Sequence, residues 1–124
     1  MYSFDYQRPT STDDAAKAAA GDADALFLAG GQTLIPTLKL RLAQPSALID
    51  LRGIDALKGI EVTADMVVIG AATTHAEVAA SADVQKAIPA LARLASLIGD
   101  VQVRNMGTIG GSIANADPAA DYPA

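Results

Sequence analysis

The chain has 124 residues, with 9 basic and 14 acidic side chains, a formal charge of −5, no cysteine and one histidine. That length suits one domain or two small lobes, and an acidic balance without any basic run argues against nucleic acid as the main partner. The cysteine count excludes thiol catalysis, disulfides and cysteine-ligated iron–sulfur clusters from these residues, and a single histidine argues against a zinc site.

Apolar residues make up 51% of the sequence and aromatic residues 4%, which predicts an aliphatic core with closely packed helices. The start, Met1-Tyr2-Ser3-Phe4-Asp5-Tyr6-Gln7-Arg8-Pro9, lacks the basic region and apolar core of a secretory signal. No apolar run approaches the roughly 20 residues of a membrane span, so the expectation is a soluble, cytoplasmic protein.

Ser11 with Asp14 three residues on predicts a helix N-cap, followed by alanines that run to Gly21. Ala25-Leu26-Phe27-Leu28-Ala29 reads as a short buried strand. Ala29-Gly30-Gly31-Gln32-Thr33-Leu34-Ile35-Pro36 follows, with Thr33 as the expected cap of a helix whose apolar positions are Leu34, Leu38 and Leu42. Pro36 belongs in a first helical turn, which sets the start near Thr33. Ala47-Leu48-Ile49-Asp50-Leu51 reads as a further strand, closing a β–α–β lobe over residues 1–55.

A second lobe, residues 56–124, opens with two paired strands, Gly59-Ile60-Glu61-Val62-Thr63 and Met66-Val67-Val68-Ile69-Gly70. Thr74 and Glu77 form a capping box, Asp83 is the expected cap of a second helix, and Pro89 restarts a third. Ile88, Leu91, Ala95 and Ile98 give that helix an apolar face ending at Gly99. From Asp100 onward the pattern reads as loop. Asp117-Pro118-Ala119-Ala120-Asp121-Tyr122-Pro123-Ala124 ends without a closing element and reads as a cut rather than a finish.

Two glycine-pair turns carry the chemistry. Glycine permits positive φ and close approach, so consecutive N–H groups converge on an anion, and a helix start adds to that field. The first turn is neither a dinucleotide-binding G-x-G-x-x-G nor a Walker loop, and a plain strand-to-helix turn is an equal reading of it alone. The second, Gly107-Thr108-Ile109-Gly110-Gly111-Ser112, adds hydroxyls and expected free N–H groups suited to phosphate oxygens, with Asn115, Asp117 and Asp121 beyond it. Asp117 before Pro118 reads as turn chemistry. His75 reads as a cap-region or surface residue. Arg104 reads as either a phosphate contact or a solvated residue. No nucleophile–base pair stands out, so no side chain is assigned as catalytic.

These residues, together with Leu48-Ile49-Asp50-Leu51, Ile69-Gly70-Ala71-Ala72-Thr73-Thr74, Arg104-Asn105-Met106 and Ala116-Asp117-Pro118-Ala119-Ala120-Asp121, run in one order. The ordered series resembles the FAD-binding medium subunit of molybdenum hydroxylases, the xanthine dehydrogenase family, with its nearest likeness to aerobic carbon monoxide dehydrogenases. The resemblance spans essentially the whole chain.

It implies an α+β fold, two-lobed and like that of vanillyl-alcohol oxidase (PCMH-type), with FAD between the lobes and the fold C-terminally incomplete here. It implies that Ala29, Gly30, Gly31, Gln32 and Thr33 wrap the pyrophosphate. Thr108, Ile109, Gly110, Gly111 and Ser112 match the family's other flavin turn, with Ser112 where relatives often carry asparagine. Asp121 matches a hydroxyl-binding aspartate, and Ile98 a position that touches the cofactor through its backbone. The implied partners are a large molybdenum-cofactor subunit and a small iron–sulfur subunit, from which electrons reach FAD and then an external acceptor. A non-redox nucleotide-binding or docking module of the same fold is the alternative, and a flavin oxidase without its substrate domain is a third.

Overall fold

Two parallel strands flank a third in Met1–Leu57, the first of two units in the structure, a computed structural model that describes residues 1–123. The elements are β1 (Asp5–Gln7), α1 (Thr12–Ala20), β2 (Leu26–Leu28), α2 (Leu34–Lys39) and β3 (Ala47–Asp50). The sheet order is β1-β3-β2, with Tyr6 opposite Leu48 and Leu26 likewise opposite Leu48 across the central strand. Side chains alternate along β3, so Ile49 joins Ala15 of α1 in one cluster while Leu48 joins Leu28 and Leu38 in another. A strand covered on both faces is apolar throughout, which is why it reads as a continuous run. Leu48 and Ile49 are fully buried, a gain of about 1.5–3 kcal/mol each.

The alanine helix forms as its cap predicts: Ser11 Oγ accepts the Asp14 N–H, and Gly21 closes the far end. Four features of this unit depart from the sequence reading. The strand expected to be buried, β2, is buried only at Leu28; Leu26 and Phe27 are exposed. β1 was not expected, because Asp5, Tyr6 and Gln7 are exposed on an edge strand and show no apolar alternation. α2 stops at Lys39, Arg41 adopts φ +59°, and Leu42 is exposed rather than part of an apolar face. Thr33 makes no side-chain cap; Thr37 Oγ1 instead donates to the Thr33 carbonyl at 2.9 Å.

Asp50, at the end of β3, is a fully buried carboxylate. Arg52 grips it through Nε at 2.9 Å and Nη2 at 2.6 Å, its own N–H donates at 2.9 Å, and the Tyr6 hydroxyl donates to Oδ2. Burial pushes the Asp50 carboxyl up, but the hydrogen bonds from Arg52 and Tyr6 outweigh it and hold the pKa at about 2. This fastens β1 and the 3-10 turn Leu51–Gly53 to the end of β3.

The second unit, Lys58–Ala124, begins with a hairpin of β4 (Ile60–Val62) and β5 (Val67–Ile69), antiparallel with Ile60 opposite Ile69. Five helices follow: α3 (His75–Ala80), α4 (Ala82–Ala87), α5 (Pro89–Leu97), α6 (Val101–Met106) and α7 (Ile109–Asn115). The core is Val78, Val84, Ala92 and Ala95, with Ile60, Val67 and Ile69 of the hairpin packed on it. Alanines on α5 allow the close helix approach that the composition implies.

Thr74 forms the expected capping box with Glu77, and Pro89 opens α5. The cap of α4 is Ser81, not Asp83; the serine Oγ accepts the Val84 N–H, and Asp83 lies in the first turn. Ile88 is exposed rather than part of the apolar face. Residues 116–123 carry no helix or strand, as expected, whereas residues 101–106 and 109–115 are helical rather than loop, with α6 capped by the Asp100 carboxylate and α7 by Thr108. The glycines and short length of these helices hid a helical period too brief to register.

Removing the Asp50 charge tests the clamp. The Asp50 pKa is depressed in the fold, so its stabilisation is complete above about 4 and disappears as pH falls from 3.8 towards 2. Allowing for the partly exposed Arg52, that is about 1–2 kcal/mol. Asp50→Asn should flatten this acid limb of stability in urea titrations and lower stability at pH 7 by about 2–3 kcal/mol. A variant with wild-type acid sensitivity would assign that limb to other carboxylates.

Candidate functional site

The first glycine turn spans residues 29–33, from the end of β2 to the start of α2. Gly31 sits at φ +73°, and a Cβ there would lie 2.9 Å from Ile35 Cγ1 and 3.2 Å from Leu28 Cδ1. The position therefore admits glycine alone without strain. The Gly31 carbonyl accepts the Ile35 N–H at 2.9 Å, and Gln32 Nε2 donates back to the Gly30 carbonyl at 3.2 Å. The turn's carbonyls are thus engaged, while its donors are not. Among the described residues, the N–H groups of Gly30, Gly31, Gln32, Thr33 and Leu34 donate to no protein group. Gly30 is buried, so its amide is withdrawn from bulk water. Consecutive unpaired donors at a helix start are the requirement for an anion such as a diphosphate, and the residues present fit that group.

The second turn answers differently. Ile109 N–H donates to the Thr73 carbonyl at 3.0 Å, Gly110 N–H to Ala71 at 2.9 Å and Ser112 N–H to Thr108 at 3.0 Å. Thr108 Oγ1 accepts the Gly111 N–H at 3.1 Å. The free amides expected from 109 to 112 are therefore not there; they fasten α7 to the segment after β5. Gly110 serves that contact, because a Cβ would fall 2.6 Å from both Cβ and O of Ala71. What this turn leaves for a ligand is a close, side-chain-poor backbone and the half-buried Ser112 hydroxyl.

Ile98 is buried at the end of α5; its N–H reaches Ala95 and its carbonyl accepts Arg104 Nη1 at 3.2 Å. Arg104 also reaches the Gly99 carbonyl at 3.1 Å, so its side chain caps α5 rather than standing free for a phosphate. Asp117 Oδ1 accepts the Ala119 N–H, the turn chemistry its proline neighbour predicts. Asp121 is exposed on the segment after α7.

His75 opens α3 directly after its cap, as the cap-region reading has it, but the surface reading fails. The residue is buried, and its Nδ1 lies 2.8 Å from the Tyr122 hydroxyl. Burial pushes the imidazole below its ordinary value, partly opposed by the Asp121 charge. Burial, then Asp121, pushes the Tyr122 hydroxyl up to about 12. No sequence signal pairs residues 47 positions apart; only the uniqueness of the histidine marks it. Among the described residues no group of side chains could hold a metal ion. A shallow cleft lined by Ala79, Gln85, Pro89, Ala92, Arg93 and Ser96 contains none of the residues expected to meet a ligand.

Residues 2–124 match the family model described as the FAD binding domain in molybdopterin dehydrogenase. The carbon monoxide dehydrogenase medium chain of Hydrogenophaga pseudoflava is 48% identical over 123 residues, covering 98% of this chain and 42% of that protein. The glyceraldehyde dehydrogenase medium chain of Sulfolobus acidocaldarius is 42% identical over 120 residues, covering 97% of this chain and 43% of that one. Among solved structures, the H. pseudoflava carbon monoxide dehydrogenase that lacks the Mo-pyranopterin moiety superposes with a TM-score of 0.96 at 47% identity, over 99% of this chain and 43% of its own. The chain thus spans about two fifths of the length of the relatives it matches.

The role of Gly110 is directly testable. Gly110→Ala should lower the stability of the second unit by about 2–3 kcal/mol, because the new methyl meets backbone and not a movable side-chain tip. Thermal unfolding reads it, and an unchanged midpoint would mean that α7 is free to shift away from Ala71.

Proposed function

This chain belongs to the family of FAD-binding domains in molybdopterin dehydrogenases, and on that premise we propose that it is the flavin-holding part of a medium subunit in a multi-subunit oxidoreductase. The proposed route brings electrons from iron–sulfur clusters of a small partner subunit to FAD here and on to an external acceptor. Substrate oxidation belongs in that scheme to a molybdenum cofactor of a large partner subunit, and the proposed assembly is cytoplasmic. The names of the relatives support this reading, since they are medium chains or subunits of two dehydrogenases and a hydroxylase named for unlike substrates. A flavin module common to them leaves substrate choice to other subunits.

The observation that carries the proposal is the run of five unpaired amides from Gly30 to Leu34. We assign the FAD diphosphate to it, with the Ala29–Thr33 turn held open by the positive φ of Gly31. The two lobes we assign are residues 1–55 and 56–124. Thr108, Ile109, Gly110, Gly111 and Ser112 are assigned contacts of close approach and of the Ser112 hydroxyl. Asp121 is assigned a ribityl or ribose hydroxyl, which a carboxylate accepts. Ile98 is assigned a contact through its carbonyl, whose second lone pair is compatible with the Arg104 bond. FAD, when bound, supplies the uptake and release of electrons; the chain's own groups bind and orient it.

Gly31→Val tests the assignment. The branched side chain meets Ile35 and Leu28 and disfavours the positive φ, so the backbone that carries the five unpaired donors must shift. Flavin retention should fall at least 100-fold while the far-UV spectrum of the first unit stays near wild type. Wild-type FAD content in that variant would contradict the placement of the diphosphate.

A further inference from the structure

We propose that His75 is a positioning residue: through the Tyr122 hydroxyl it fixes the segment that carries Asp121, and through Gly107 it fixes the entry to the turn at 108–112. The inference rests on the flavin reading above and deepens it. The His75 N–H donates to the Gly107 carbonyl at 3.0 Å. Its ring lies so close to Gly107 that a Cβ there would be 2.9 Å from Cδ2 and Nε2. On its other side Nδ1 meets the Tyr122 hydroxyl at 2.8 Å, with the rings 5.5 Å apart at 42°.

One buried imidazole therefore touches the chain beside two of the stretches that this unit is proposed to offer the cofactor: Gly107, which precedes the turn at 108–112, and Tyr122, which follows Asp121. The stretch after α7 has few other anchors. Ala116 turns the chain in the left-handed region, and the hydrogen bonds that Asp117 accepts, from the Ala119 and Ala120 N–H groups, run within the segment itself. The Tyr122 hydroxyl is its tie to the core of the unit. The capping box of Thr74 and Glu77 holds the histidine in turn, by fixing the first turn of α3. Asp121 is next to Tyr122 in the chain, so holding the tyrosine limits where that carboxylate can reach.

The test uses the protein expressed from its complete reading frame, stripped of flavin and titrated with FAD by flavin fluorescence quenching. Tyr122→Phe removes only the hydroxyl and should raise the FAD dissociation constant about 3- to 10-fold, the range of one net hydrogen bond. In an Asp121→Ala background the same change should cost less than 2-fold, because the carboxylate that it positions is gone. His75→Leu should weaken FAD at least as much as Tyr122→Phe, and His75→Gln, which keeps a polar group in reach, should recover part of the loss. Thermal unfolding of the apoprotein separates the effects: a purely structural role lowers the midpoint and leaves the dissociation constant unchanged. An unchanged constant in Tyr122→Phe, or an equal loss with and without Asp121, overturns the inference while leaving the flavin reading intact. A wild-type protein that takes up no FAD overturns both.

Discussion

Backbone donors require acceptors, from protein, ligand or water, and the two glycine turns of this chain meet that demand in opposite ways. In the first, five successive N–H groups from Gly30 to Leu34 have no protein acceptor among the described residues. In the second, the amides of residues 109–112 are consumed in holding α7 against Ala71 and Thr73 and in capping it with Thr108. An open set of donors is stable only where water or a ligand completes it. The central strand β3, buried at every position and with Asp50 clamped at its end, gives that open turn its base. The donors are therefore held by the fold rather than gathered by a ligand, and preorganisation of that kind lowers the cost of binding.

The consequence for chemistry is a division of labour. One turn offers unpaired backbone donors, with no lysine or arginine in residues 29–36, which is what the proposed diphosphate site would use. The other supplies shape, through a glycine that lets two backbones meet, and a single hydroxyl at Ser112. Neither contains an acid–base pair, which accords with a family whose redox chemistry resides in a bound cofactor. Relatives that share this module are dehydrogenases of unlike compounds, as their names state. A module that binds a common cofactor by backbone geometry fits that range, because it contributes nothing that discriminates among substrates.

Local signals were legible where one interaction spans a few residues. The Ser11 cap, the Thr74–Glu77 box, the proline start of α5 and the hairpin at residues 60–69 all follow from neighbours in the chain. The family was legible too, because ordered motifs carry more information than any one of them. Much of what failed depended on contacts from outside the element concerned. β1 is a strand because β3 offers it an edge, not because Asp5, Tyr6 and Gln7 favour one. His75 looks like a surface residue until Tyr122, 47 positions on, closes over it. The free donors expected of the second turn vanished for the same reason: their acceptors, Ala71 and Thr73, come from another element. Arg104 was drawn to the carbonyls that end α5, which no local pattern announces.

The measurement that tests this account most directly is the flavin content of the protein expressed from its complete reading frame, by absorption spectrum and then chromatography of the released cofactor. The account predicts one FAD per chain, bleached by a reductant and recovered in air. A colourless protein that also refuses added FAD would contradict it, leaving the five open amides to water and the glycine turns to geometry alone.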